Sequence, residues 1–228
     1  MSGDLYLTEG IGMLKLYGFS VSNYFNMVVV ALKEKNIEFE IIEVFPNKET
    51  NYLLKSPMGK IPCLETEDGF LTETNVILEY LEDRYPEVPL YPADAFNKAK
   101  TRELMKYFEL YIELPARTLF PGILFGAKNH ERDLEQVKPK LESGIAALNQ
   151  LISIKGNGFL VGDQLTYADI FAFYSFSAAN LAAKKIYQWD IFSEVPGLAG
   201  LMTRLAKRDS FAEAEQKRQL AWDKYIKI

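Results

Sequence analysis

The residues with the clearest chemical potential lie in two short stretches. Ser56-Pro57-Met58-Gly59-Lys60-Ile61-Pro62 is followed, eleven residues after Pro62, by Glu73-Thr74. Pro62 interrupts what otherwise reads as a strand, where a proline cannot donate to a sheet ladder. An Ile61-Pro62 bond held cis would turn the Ile61 amide and carbonyl outward, available to pair with an extended peptide. Glu73-Thr74 opens an amphipathic helix, and helix N-termini bind carboxylates. Together these groups predict a socket for a small anionic peptide.

Other candidates fit chemistry less well. Cys63 is the single cysteine and stands in an apolar stretch, Ile61 to Leu64, so it reads as a buried small hydrophobe. With one cysteine there is no internal disulfide. The single histidine, His130, lies in the polar run Lys128-Asn129-His130-Glu131-Arg132 and reads as a surface residue. No Cys/His cluster offers a metal site, and Gly10 and Gly12 are too sparse for a nucleotide loop. Ser22 suits the N-cap of a helix.

The elements that must position these groups follow from pattern. Met13-Leu14-Lys15-Leu16-Tyr17 alternates like a strand. A helix is predicted from about Ser22 to Lys35, with Val28, Ala31 and Leu32 on its buried stripe. Ile37 to Val44 alternates as a second strand, completing a parallel βαβ unit. Residues 47–55 read as a short irregular helix. Ile61 to Thr66 and Phe70 to Thr72 flank Asp68-Gly69, a hairpin signal. Val76, Ile77, Tyr80 and Leu81 then follow helical spacing from Glu73 to Arg84.

Tyr85-Pro86-Glu87-Val88-Pro89-Leu90-Tyr91-Pro92 carries three prolines and reads as a linker. Helical patterns follow over Ala95–Leu119, Glu131–Ile154, Thr166–Ala183 and Leu198–Arg208, with no strand. In Gly162-Asp163-Gln164-Leu165-Thr166-Tyr167-Ala168-Asp169, Thr166 is predicted as an N-cap, with Asp169 reaching back to it and Leu165 against Ile170. Asp169 is therefore read as a folding residue. Residues 1–12 show no clear period, and Met13 is read as the natural start after a leader.

These motifs resemble the cytosolic glutathione S-transferase family, in its bacterial-like form with a serine-type site. The resemblance covers nearly the whole chain, through Pro196-Gly197-Leu198, Arg204, Arg208 and Phe211. It implies an α/β thioredoxin-like N-terminal domain over 13–90 and an all-α C-terminal domain over 95–228. It also implies a cytoplasmic, detoxifying homodimer that takes glutathione as co-substrate, a small-molecule electrophile as partner, and no metal.

By that resemblance Ile61 and Pro62 would pair with the cysteinyl backbone of glutathione. Glu73 and Thr74 would hold the γ-glutamyl amine and carboxylate, or simply cap their helix. Lys60 would bind the glycyl carboxylate, with a solvated lysine as the plain alternative. Alignment on Ala31-Leu32-Lys33-Glu34-Lys35 places Ser22 where serine-type members activate the thiol, with Asn23 and Tyr24 as fallback donors. A thiol with a pKa of about 8.5 is only a few per cent ionised at neutral pH, and lowering it by about two units stabilises the thiolate by about 2.7 kcal/mol. A hydroxyl donor plus a helix N-terminus suits that task. Tyr17 is read as a packed strand aromatic. Asn26 and Met27 stand where related classes carry an arginine. Phe120, Pro121, Phe125 and Tyr111 either line an electrophile pocket or belong to the core.

The alternatives are a non-catalytic interaction protein of this fold, or a glutathione-dependent peroxidase or isomerase. Absence of a cysteine in Ser22-Asn23-Tyr24-Phe25 argues against the isomerase and against thiol-disulfide exchange. Composition narrows the classes further. A net charge of −5 gives no electrostatic basis for nucleic-acid binding. No apolar run reaches the roughly 20 residues of a membrane span.

Overall fold

In a computed structural model the described residues are 13–154, 156 and 158–226. The proposed leader 1–12 lies outside them. Four strands form one sheet: β1 (Leu14–Gly18), β2 (Phe39–Glu43), β3 (Cys63–Thr66) and β4 (Gly69–Thr72), in the order β2-β1-β3-β4. β1 runs parallel to β2 and antiparallel to β3, and β3 and β4 form the expected hairpin. Helices α1 (Asn23–Glu34), α2 (Thr50–Leu53) and α3 (Thr74–Arg84) complete the thioredoxin-like unit.

Beyond it the described residues form helices only. They are α4 (Ala95–Tyr107), a π-helical segment (Phe108–Glu113), α5 (Leu114–Arg117), α6 (Phe120–Phe125), α7 (Glu131–Leu151) and α8 (Tyr167–Tyr187). A 3₁₀ turn (Ile191–Glu194), α9 (Leu198–Leu205) and α10 (Asp209–Tyr225) follow. The pattern from Ala95 to Leu119 predicted one helix, but the chain widens into the π turn and restarts at Leu114-Pro115. Helices α6 and α10 were not predicted as separate elements. α10 is polar along most of its length and buries only Ser210, Phe211 and Ala214, so its apolar periodicity is weak.

α1 is the hinge of the architecture. It packs against α3 on one side and against α8 and α10 on another. Its residues from Phe25 to Leu32 are all buried, not only the predicted stripe, as expected of a helix enclosed on every side. On α3, Ile77, Leu78 and Leu81 face the core while Val76 is exposed, which corrects the predicted stripe.

Charges pin this arrangement at the C-terminal end of α1. The Lys35 ammonium, fully removed from solvent, pairs with Glu82 at 2.8 Å and donates to the Val88 carbonyl at 2.7 Å. Glu82 also accepts from the backbone amides of Leu90 and Tyr91 and from the Tyr167 hydroxyl at 3.0 Å. The segment 85–92 is irregular, as its prolines predict, yet this one carboxylate ties it to α1, α3 and α8. Glu34 takes a bidentate pair from Arg208 and a hydrogen bond from Ser210, fastening α10 to the same end.

In the central helix, Asp169 is buried and accepts from the amides of Thr166 and Leu160, both at 2.9 Å. Burial pushes its carboxyl up to about 6 despite these bonds. The reach back to Thr166 and the burial of Leu165 and Ile170 match the predicted folding role.

Candidate functional site

Strand register gathers the proposed residues at one end of the sheet. Cys63 pairs with Tyr17 on one side and with Thr72 on the other. Pro62, the loop after Gly18, and Glu73 therefore adjoin, although they are distant in sequence. The Ile61-Pro62 peptide is cis. Among the described residues, the Ile61 backbone amide and carbonyl make no hydrogen bond.

The approach to Pro62 is rigid. The Lys60 carbonyl accepts from the Tyr52 hydroxyl at 2.9 Å and from Ser56 Oγ at 2.8 Å. Gly59 has φ of +63°, and a Cβ there would lie 2.0 Å from the Asn47 carbonyl oxygen, so only glycine fits. The Lys60 side chain is exposed.

Glu73 precedes α3 with φ of 66° and ψ of 117°, a conformation non-glycine residues rarely adopt; such backbone strain is about 1–3 kcal/mol and clusters at functional sites. Its side chain is exposed, does not cap α3, and has no partner among the described residues. The alternative reading as a helix cap is thus not what the geometry offers. Thr74 is buried, and its Oγ1 donates to the Tyr24 carbonyl at 3.4 Å, joining the start of α3 to the start of α1.

Ser22 is the N-cap of α1, and its Oγ accepts from the Phe25 amide at 3.3 Å. Its hydroxyl proton is not donated to any described residue, so capping leaves a donor over. Asn23 and Tyr24 are differently placed. The Asn23 amide donates to Glu113 at 2.9 Å and the Tyr24 hydroxyl donates to it at 2.8 Å. Burial, and then the Glu113 charge, push the Tyr24 phenol well above its ordinary range.

Tyr17 is not simply a packed aromatic. Its hydroxyl donates to Glu65, within a surface network that includes Lys15 and Lys55, and its ring meets Phe70 edge-on. Burial and the Glu65 bond push the phenol up to about 12, and its proton is committed. Cys63 is buried, as predicted, and burial pushes its thiol up to about 11. His130 is exposed ahead of α7. Tyr111, Pro121 and Phe125 are exposed rather than core, and Phe120 is half-buried.

Three contributors escaped sequence reasoning. The buried Asn26 side chain donates to the Ser20 carbonyl at 2.7 Å and fixes the loop before Ser22. Glu113 and Arg117 approach from the α domain, about ninety positions away in the chain. A polar residue in the apolar run Phe25 to Leu32 was a usable signal for Asn26. Nothing local in sequence signalled the other two.

A thioredoxin-like sheet followed by a helical domain, with a cis-proline corner beside a helix start, defines the glutathione-transferase fold. The glutathione S-transferase N-terminal domain family matches residues 16–89, and the glutathione S-transferase C-terminal domain family matches residues 119–218. A glutathione S-transferase of Pseudomonas putida is 39% identical over 220 residues, spanning 95% of this chain and 97% of that one. A crystal structure of a Methylobacterium radiotolerans glutathione S-transferase in complex with glutathione sulfonate aligns with TM-score 0.74 and 27% identity. It covers 89% of this chain and 94% of that chain. One from Methylobacillus flagellatus with glutathione bound aligns with TM-score 0.74 and 26% identity, covering 88% and 98%. The chain belongs to the glutathione S-transferase family and is a transferase.

Proposed function

We propose that this chain binds reduced glutathione at Lys60, Ile61, Pro62, Glu73 and Thr74, and activates its thiol with Ser22 for attack on electrophilic apolar substrates. Glu73 carries the reading: a strained backbone presents a carboxylate that has no partner among the described residues, at the same end of the sheet as the Ile61 backbone, likewise unpaired among them. A strained backbone that presents an exposed carboxylate fits a ligand better than it fits packing. The Ile61 amide and carbonyl would pair with the cysteinyl unit. Glu73 would take the γ-glutamyl amine, and the α3 start at Thr74 its carboxylate. Lys60, free in solvent, would take the glycyl carboxylate.

The Ser22 hydroxyl and the N-terminus of α1 would favour the thiolate. The thiol proton leaves to solvent, the sulfur electron pair forms the carbon–sulfur bond, and a leaving group departs with its own bonding pair. Phe120, whose ring shares the Arg117 guanidinium with Tyr24, would provide apolar surface near this end of α1.

Division at residues 13–90 and 95–228, a homodimer, a cytoplasmic setting and a role in detoxification belong to the same reading. Exposed Phe70 and Val76 in the first unit, and Phe96, Leu110, Tyr111 and Leu114 in the second, are apolar side chains that association between copies would cover. No helix among the described residues is long and apolar enough to cross a membrane.

The test is turnover of glutathione with an electron-poor aryl halide and, separately, with an organic hydroperoxide. Conjugation that is saturable in glutathione supports the reading. Peroxide turnover alone would reassign the reaction while keeping the site. Absence of both, with no glutathione bound, would replace it with the interaction-protein alternative.

A further inference from the structure

Glu113 is a fully buried carboxylate at the end of the π-helical segment, a helix type that often marks functional positions. Its Oε1 accepts from Asn23 Nδ2 at 2.9 Å. Its Oε2 accepts from the Tyr24 hydroxyl at 2.8 Å and from Arg117 Nε at 3.0 Å. Arg117 Nη2 also pairs with Glu113, and reaches the Asn23 side-chain oxygen at 3.1 Å. The same guanidinium lies 4.9 Å from the Tyr24 ring centre and 5.5 Å from that of Phe120.

The π turn has its own accommodation. A Cβ on Gly144 of α7 would lie 2.5 Å from the Tyr111 carbonyl oxygen, so α7 admits the widened backbone only because a glycine stands there. The turn therefore sits in a packed setting that delivers a carboxylate to the other unit.

What that carboxylate grips is specific. Asn23 and Tyr24 are the first two residues of α1, directly after Ser22, and the Tyr24 carbonyl receives the Thr74 hydroxyl. Packing alone would be served as well by an apolar side chain, since a buried ion pair contributes little net stability over a hydrophobic replacement. Its distinguishing property is direction: it fixes the azimuth of the α1 start, and with it the Ser22 hydroxyl and the free amides of the first turn.

We propose that Glu113 is a positioning residue that sets the thiol-activating geometry of the α1 N-terminus from the opposite domain, acting through Asn23 and Tyr24. Arg117 neutralises the carboxylate, which would otherwise oppose a thiolate close by. This inference rests on the Ser22 reading above, and it makes thiol activation depend on how the two units are docked.

The test measures the thiol pKa of glutathione bound to wild type, Glu113→Gln, Tyr24→Phe and Arg117→Met. The readouts are the pH profile of kcat/KM and the ultraviolet absorbance of the thiolate, with glutathione affinity and melting temperature recorded alongside. Glu113→Gln is expected to raise the bound-thiol pKa by about one unit while glutathione affinity stays near wild type. Tyr24→Phe should shift it the same way by less, and Arg117→Met should also raise it. Lowered melting temperature with an unmoved thiol pKa makes Glu113 merely structural and overturns the inference alone. Should Glu113→Gln fail to fold, an unmoved pKa in Tyr24→Phe does the same. A wild type that binds no glutathione overturns the functional reading and this inference together.

Discussion

The corner at Ile61-Pro62 and Glu73 and the interface along α1 handle polar groups in opposite ways. At the corner they are left over: among the described residues the Ile61 backbone is unpaired and the Glu73 carboxylate has no partner, and Lys60 extends into solvent. Along α1 the buried charges are matched, with Glu113 held by Arg117 at one end and Lys35 by Glu82 at the other. An unpaired buried polar group costs about 1–3 kcal/mol, which is why the buried charges along α1 need partners, whereas the solvent-exposed Glu73 and Lys60 do without them. In the proposed reading the first region is open for a ligand and the second holds the two units in register.

The sharpest way to break this contrast is at Glu82. Glu82→Ala strips Lys35 of its counter-charge and removes the acceptor of Leu90, Tyr91 and Tyr167. Loss of one member of a buried pair should cost about 3–5 kcal/mol, read by urea denaturation. A loss comparable with a surface substitution would show that the α1 interface does not depend on matched charge.

Ser22→Ala probes the boundary between the two regions. Conjugation should fall by about 10²-fold, as for removal of one preorganised donor, with a raised thiol pKa and near-unchanged glutathione affinity. The lost cap should cost only about 1 kcal/mol of stability. Unchanged turnover would move the role to another donor, such as a backbone amide.

Glu73→Gly sharpens the comparison through opposite signs. Glycine adopts φ of 66° freely, so the protein should become more stable by about 1 kcal/mol. Glutathione binding should nevertheless weaken. If both properties improved or both worsened, the strained backbone would not be serving a ligand.

The smallest effect concerns Cys63. With its thiol pushed up to about 11 by burial, it should resist alkylation in the native protein near neutral pH and react only on unfolding. The sign follows from its ordinary value of 9.0. Below that pH both states hold the proton. Between 9.0 and about 11 the unfolded thiol ionises first, so stability declines as pH rises through that window. Rapid native-state alkylation at neutral pH would contradict the buried assignment.

Legibility in the sequence divides along the same line. The corner could be read because proline, glycine, the Asp68-Gly69 turn and the start of α3 carry local backbone rules. The capping Asp169 was legible for the same reason. The alignment network was not, because Glu113 and Arg117 look like ordinary surface charges on a helix until the π turn rotates one of them inward. The full burial of α1 also exceeded its predicted stripe, since enclosure on several sides comes from α8 and α10, which local periodicity does not contain. Tyr17 shows a third case, in which an alternating strand gave its position but not its ionic partners on neighbouring chain segments.

The most direct test of the central claim is calorimetric titration of the purified protein with reduced glutathione, set against Glu73→Ala. A glutathione socket at Glu73 predicts saturable binding by the wild type and at least about tenfold weaker binding by the variant, or 1.4 kcal/mol, at unchanged melting temperature. Absence of binding at millimolar glutathione, or equal affinity in the variant, would contradict it.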